Sequence, residues 1–108
     1  MNIVVIISAI AEWNAVKEIF SNLEITQSPY GESSKIKIDE REIKIYHSGW
    51  GKIASAGMMQ YVVSHDNPDV VINLGTCGGF EGLVNQGVDT DTMILEHREA
   101  CFAWAKAL

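Results

Sequence analysis

Two glycine turns hold the residue types from which a small-molecule site could be built. They are Ser48-Gly49-Trp50-Gly51-Lys52-Ile53-Ala54 and Gly75-Thr76-Cys77-Gly78-Gly79-Phe80, and each follows a run of strand-forming residues. In open α/β sheets, ligands bind just outside the carboxyl ends of the strands. Glycines there let the backbone approach a ligand and aim N–H groups at its oxygens. The Thr76 hydroxyl adds a donor and an acceptor. The competing reading is that these glycines only make tight turns and close helix packing.

Two phosphate motifs can be weighed against the first turn. A P-loop requires GxxxxGK followed by Ser or Thr; here Tyr46 takes the leading position and Ile53 follows Lys52, so the motif fails. The dinucleotide pattern GxGxxA is met by Gly49, Gly51 and Ala54, but that fold wants an acid at the end of the next strand, where this chain has Asn73. A nucleotide- or dinucleotide-binding α/β module therefore stands as the second choice. Cys77 invites a nucleophile reading, yet no histidine pairs with it in the nearby sequence. A small residue packed close to a ligand explains it better.

The elements that must carry these turns can be read from periodicity. Residues 3–7, IVVII, form a continuous β-branched run suited to a strand buried on both faces. Residues 11–23 then place Trp13, Val16, Ile19, Phe20 and Leu23 at helical spacing. Pro29, Gly31 and the serines of 26–34 predict a loop. Ile36 and Ile38, then Ile43 and Ile45, alternate around the polar Asp39–Glu42 and predict a hairpin or two successive short strands. A second helix over 52–66 has Ile53, Ala56, Met59 or Gln60, and Val63 as its apolar side. It ends at Asn67, because a residue before proline is biased out of the α region. VVINLG is the next buried strand. The order β, α, β, β, α, β predicts a mixed or parallel α/β sheet.

Composition narrows the function classes. A chain of 108 residues with 47% hydrophobic and 20% charged residues has room for one globular core. A net charge of −6 argues against general nucleic-acid binding, which needs clustered Lys and Arg. Lys35, Lys37, Arg41 and Lys44 do cluster, but they alternate with acids, as on the solvated face of a hairpin. No apolar run reaches the roughly 20 residues of a membrane span, and the start lacks the basic region of a signal peptide. Cys77 and Cys101 make no disulfide framework, and His47, His65 and His97 show no metal-ligand spacing. A reduced, cytoplasmic protein without metal or cofactor is expected.

Three stretches resemble the N-terminal part of the nucleoside phosphorylase superfamily, and most of all its methylthioadenosine/S-adenosylhomocysteine nucleosidases. They are the opening strand with SAIAE, then SGWGKIASA, then NPDVVINLGTCGGF, in the family's order and spacing over residues 2 to about 87. The resemblance implies a three-layer α/β fold with a mixed central sheet. Residues 1–87 would be the N-terminal part of the domain, and 88–108 a divergent helical tail with Ile94, Cys101, Trp104, Ala105 and Leu108 on one face.

The resemblance also implies roles. Thr76, Cys77 and Gly78 would lie under the ribose of a nucleoside, and in phosphorylases near phosphate; Ser48 and Gly49 would join them. Glu12 would be the acid that activates water, although the register leaves the same position open to Trp13. The bland reading of Glu12 is a first-turn acid favoured by the helix dipole. Family members assemble as dimers or larger oligomers. They also carry a Met-Glu ribose clamp and a Ser-Asp acid that residues 88–108 do not match, so a truncated member with impaired cleavage is expected. Asp89, Asp91 and Glu96 are the acids of that stretch.

Overall fold

Residues 1–76 are described by the computed structural model. They order as β1 (Ile3–Ile7), α1 (Ile10–Ile19), β2 (Thr26–Ser28), β3 (Gly31–Ile38), β4 (Arg41–His47), α2 (Lys52–Asp66) and β5 (Val70–Leu74). The five strands form one sheet in the order β2-β3-β4-β1-β5. β1 lies between β4 and β5 and runs parallel to both, with Val4 opposite Lys44 on one side and Val71 on the other. β2, β3 and β4 pair antiparallel. The sheet is mixed, as expected.

Alternation along β1 divides the core in two. Val4 and Ile6 pack with Tyr46, Met58 and Val62 under α2. Ile7 packs with Ile45 and Trp13 under α1, with Val5, Val16 and Ile36 at its margin. Because successive strand residues point to opposite faces, a continuous β-branched strand needs a helix on each side. The result is the three-layer arrangement, a helix on either face of a mixed sheet.

Four expectations are corrected. β5, expected to be a buried strand, is mostly exposed, because it stands outermost in the sheet of the described residues. The loop at 26–34 contains β2 and the start of β3, joined through Pro29 and Tyr30; Ser28 Oγ accepts from Tyr30 N and donates to Gly31 O at 2.6 Å, closing the turn. Side-chain closure of this kind is how serine-rich segments build hairpins. The first helix stops at Ile19, which is 73% exposed, and Asn22 turns the chain at φ 69°. The second helix buries Met58 and Val62, whereas Ile53 is 91% exposed and Met59 and Val63 also face water. Gly57 explains this rotation: a Cβ there would stand 2.9 Å from the Tyr30 ring, so the hairpin packs on the glycine side.

The β3–β4 hairpin closes through Asp39 and Glu40, both at positive φ, as a type I′ turn requires. Lys35 pairs with Glu42 at 3.3 Å in solvent. Lys44, opposite Lys35 and on the same face of the hairpin, reaches α2 and pairs with Asp66, whose side chain is 3% exposed. Tyr46 Oη donates to the same carboxylate at 2.5 Å, and burial together with this bond pushes the Tyr46 phenol well up. Asp66 thereby ties the end of α2 to β4. The helix stops there, with Asn67 left-handed before Pro68. The domain boundary at 87, the tail helix and Cys101 lie outside the described residues.

Candidate functional site

The carboxyl ends of β1, β4 and β5 lie side by side, because Ile7 is opposite both His47 and Leu74. Ser48 prolongs the ladder by one bond, its N–H donating to Ile7 O at 3.0 Å. It is 4% exposed, and its hydroxyl donates to Gly49 O at 3.0 Å and lies 3.4 Å from Ser8 Oγ. Gly49 and Gly51 have φ of 77° and 101°, and a Cβ on either would meet nothing within 4 Å. These glycines are required by backbone conformation, not by crowding. Gly51 opens α2 without a side-chain cap, so the N–H groups of the first turn have no capping side chain.

Glu12 stands in the first turn of α1 and is half-buried. Its carboxylate lies against the backbone of Gly75, the residue after β5: a Cβ there would be 3.2 Å from Oε2 and 3.3 Å from Oε1. Ser8, Glu12, Ser48, Gly49 and Gly75 therefore gather at one end of three parallel strands. Thr76 is exposed and is the last described residue, while Cys77 and Gly78 lie outside the described residues.

Trp13 is placed elsewhere. It is fully buried on the α1 side, its ring stacked on His47 at 5.6 Å and 7°. Its Nε1–H donates to Glu32 Oε2 at 2.7 Å, and Lys17 Nζ reaches the same oxygen at 3.0 Å. These two partners hold the Glu32 carboxyl below its usual range, the Trp13 bond most. His47 Nε2 is buried without a hydrogen-bond partner among the described residues. Sequence reading missed Gly75 as the neighbour of Glu12, and missed Glu32 altogether. Gly75 could have been found from its place directly after a parallel strand; Glu32 had no signal, since it sat in a stretch read as loop.

A separate polar cleft of about 560 Å³ opens on the α2 side and is lined by Glu24, Ser28, Ser34, Lys44, Tyr46 and Tyr61 among others. None of the strand-end residues lines it. Among the described residues no group of three His, Cys, Asp or Glu could hold a metal ion, and no helix is long and apolar enough to cross a membrane.

No family model matches the chain. It is 32% identical over 71 residues to the 5′-methylthioadenosine/S-adenosylhomocysteine nucleosidase of Bacillus licheniformis, a match covering 66% of this chain and 27% of that protein. The Bacillus pumilus nucleosidase is 31% identical over 74 residues, 68% of this chain and 29% of its own length. Among solved structures, the Neisseria meningitidis nucleosidase bound to methylthio-immucillin-A superposes with a TM-score of 0.63 at 20% identity, over 84% of this chain and 45% of that one. The Streptococcus pneumoniae enzyme with a transition-state inhibitor gives 0.65 at 22% identity, over 85% and 45%. The chain spans under a third of the length of the curated relatives it matches. Together these matches show that it belongs to the nucleoside phosphorylase/nucleosidase superfamily. Within that class its likeness is to the methylthioadenosine/S-adenosylhomocysteine nucleosidases, and the fold it shares with them is the mixed-sheet, three-layer part described above.

Proposed function

We propose that this chain binds a purine nucleoside, of the methylthioadenosine or S-adenosylhomocysteine type, at the carboxyl ends of β1, β4 and β5. One observation carries the reading: the Glu12 carboxylate lies against Gly75 beside the Ser48–Gly51 turn. A carboxylate there can accept from a ribose hydroxyl or take a proton from an attacking water. The α2 N–H groups beyond Gly51 suit an oxygen-rich ligand or phosphate. Thr76, Cys77 and Gly78 join the site in this reading as the family's Gly-Thr-x-Gly-Gly turn. The burial of Trp13 supports Glu12 as the acid in place of Trp13.

The role is binding first. N-glycosidic cleavage needs a protonated leaving group as well as an oriented nucleophile, and Glu12 can serve only one of these at a time. The setting is cytoplasmic and the protein is a homo-oligomer: on β5, the outermost strand among the described residues, Val70, Ile72 and Leu74 are 38%, 43% and 53% exposed, apolar surface that favours pairing. Calorimetry with methylthioadenosine on the purified 108-residue chain tests the site. Binding that is lost in Glu12→Gln, with adenine release near background in a coupled assay, is expected. Absence of binding overturns the reading, and rapid release abolished by Glu12→Gln would make the chain an enzyme.

A further inference from the structure

We propose that Trp13, through its hydrogen bond to Glu32, is a positioning residue that sets where the Glu12 carboxylate stands. The consequence for ligand affinity rests on the nucleoside-site reading above.

α1 is a short helix with few constraints on its rotation. It has ten residues, a single buried one and no side-chain cap at Ala9, and its ends expose Ile10 and Ile19 at 53% and 73%. Adjacent helical residues are rigidly related at 3.6 per turn, so any turn of α1 about its axis carries Glu12 with Trp13. Trp13, the one fully buried residue of α1, is the deepest of the contacts that resist such a turn, with Val16 and Lys17 beside it.

Packing alone would hold it incompletely. Two rings stacked nearly parallel, as Trp13 and His47 are at 7°, resist tilting more than a slide within the ring plane. A hydrogen bond is directional, and the 2.7 Å bond from Nε1 to Glu32 Oε2 stops that slide. Glu32 is itself tied down: it sits in β3, and Lys17, one turn along α1, pairs with it at 3.0 Å while standing 5.6 Å from the Trp13 ring. The helix is thus clasped to the sheet at Trp13 and Lys17 through one carboxylate. Glu12 then falls against Gly75.

The test reads position without any ligand. The amide resonance of Gly75 in ¹H–¹⁵N spectra reports the adjoining Glu12 carboxylate, and Glu12→Gln calibrates it. Trp13→Phe keeps a buried ring and loses the N–H; Glu32→Leu loses the acceptor on a partly exposed strand. Both should move the Gly75 amide away from its wild-type position. Glu32→Gln, which keeps an acceptor oxygen, and Ile36→Val, which loosens the same core cluster, should leave it in place. Methylthioadenosine Kd should rise about tenfold in Trp13→Phe and Glu32→Leu, and under about twofold in the other two. A Gly75 amide unmoved in both Trp13→Phe and Glu32→Leu overturns the proposal, as does one that moves equally in Ile36→Val. If the amide shifts follow expectation but the wild type binds no methylthioadenosine, the clasp stands and the nucleoside reading fails.

Discussion

Glu12 and Gly75, at opposite ends of the described fold in sequence, meet at one end of the sheet, where a Cβ on Gly75 would stand 3.2 Å from the carboxylate. That spacing is tighter than ordinary van der Waals contact, so one of the two must give. The carboxylate is the flexible partner. Gly75→Ala is therefore expected to fold normally, since Gly75 is exposed, yet to displace Glu12 and weaken methylthioadenosine binding about three- to tenfold. Calorimetry beside a urea melt checks it; unchanged affinity would show that the contact is incidental.

The two faces of α2 should respond differently to truncation. Met58 is fully buried against Val4 and Tyr46, so Met58→Ala is expected to cost about 2–5 kcal/mol through lost contacts and a cavity. Ile53→Ala, on a residue 91% exposed, should stay within about 0.5 kcal/mol. Urea midpoints of the two variants decide the matter, and similar losses would restore the helix face expected from periodicity.

Tyr46 closes the Asp66 anchor. Tyr46→Phe leaves that buried carboxylate one donor short, at a cost of about 1–3 kcal/mol. The phenol is raised in the fold above its ordinary 10.0, so its stabilising contribution is complete below about pH 10 and is lost as the pH climbs further. Thermal melts should therefore show the wild type losing its advantage over Tyr46→Phe in strong alkali. A constant gap between pH 8 and 11 would mean the phenol is not in this bond.

Glu32 gives the opposite sign. Its carboxyl is held below the ordinary 4.5 by Trp13 and then Lys17, so its stabilisation is present above that pH and disappears as the pH falls through the lowered value. The wild type should exceed Glu32→Gln in melting temperature at pH 6, and the difference should shrink as the pH falls below 4.5. Equal melting temperatures at pH 6 would show the ion pair to be without effect, the usual result for an exposed pair.

Much of this was legible in the sequence, and for different reasons. IVVII and VVINLG announced strands because β-branched runs have few other homes. The β3–β4 hairpin followed from period-two alternation around Asp39–Glu42, and the end of α2 from the Asn67-Pro68 pair. What failed was local sequence without clear periodicity. Residues 26–34 became a strand and a turn because Ser28 closes the turn and β3 supplies a pairing edge, neither of which a list of turn-formers reveals.

The sequence by itself determined that the chain is α/β, that glycine turns follow two of its strands, and that these stretches resemble one superfamily. Those properties rest on short-range chemistry: branching at Cβ, alternation, and the φ freedom of Gly49 and Gly51. Only the tertiary structure decided which face of α2 is buried, since apolar residues surround that helix and Tyr30 had to find Gly57. It alone placed Trp13 in the core, stacked on His47 and bonded to Glu32, while Glu12, next to it in a helix whose neighbours point about 100° apart, lies against Gly75.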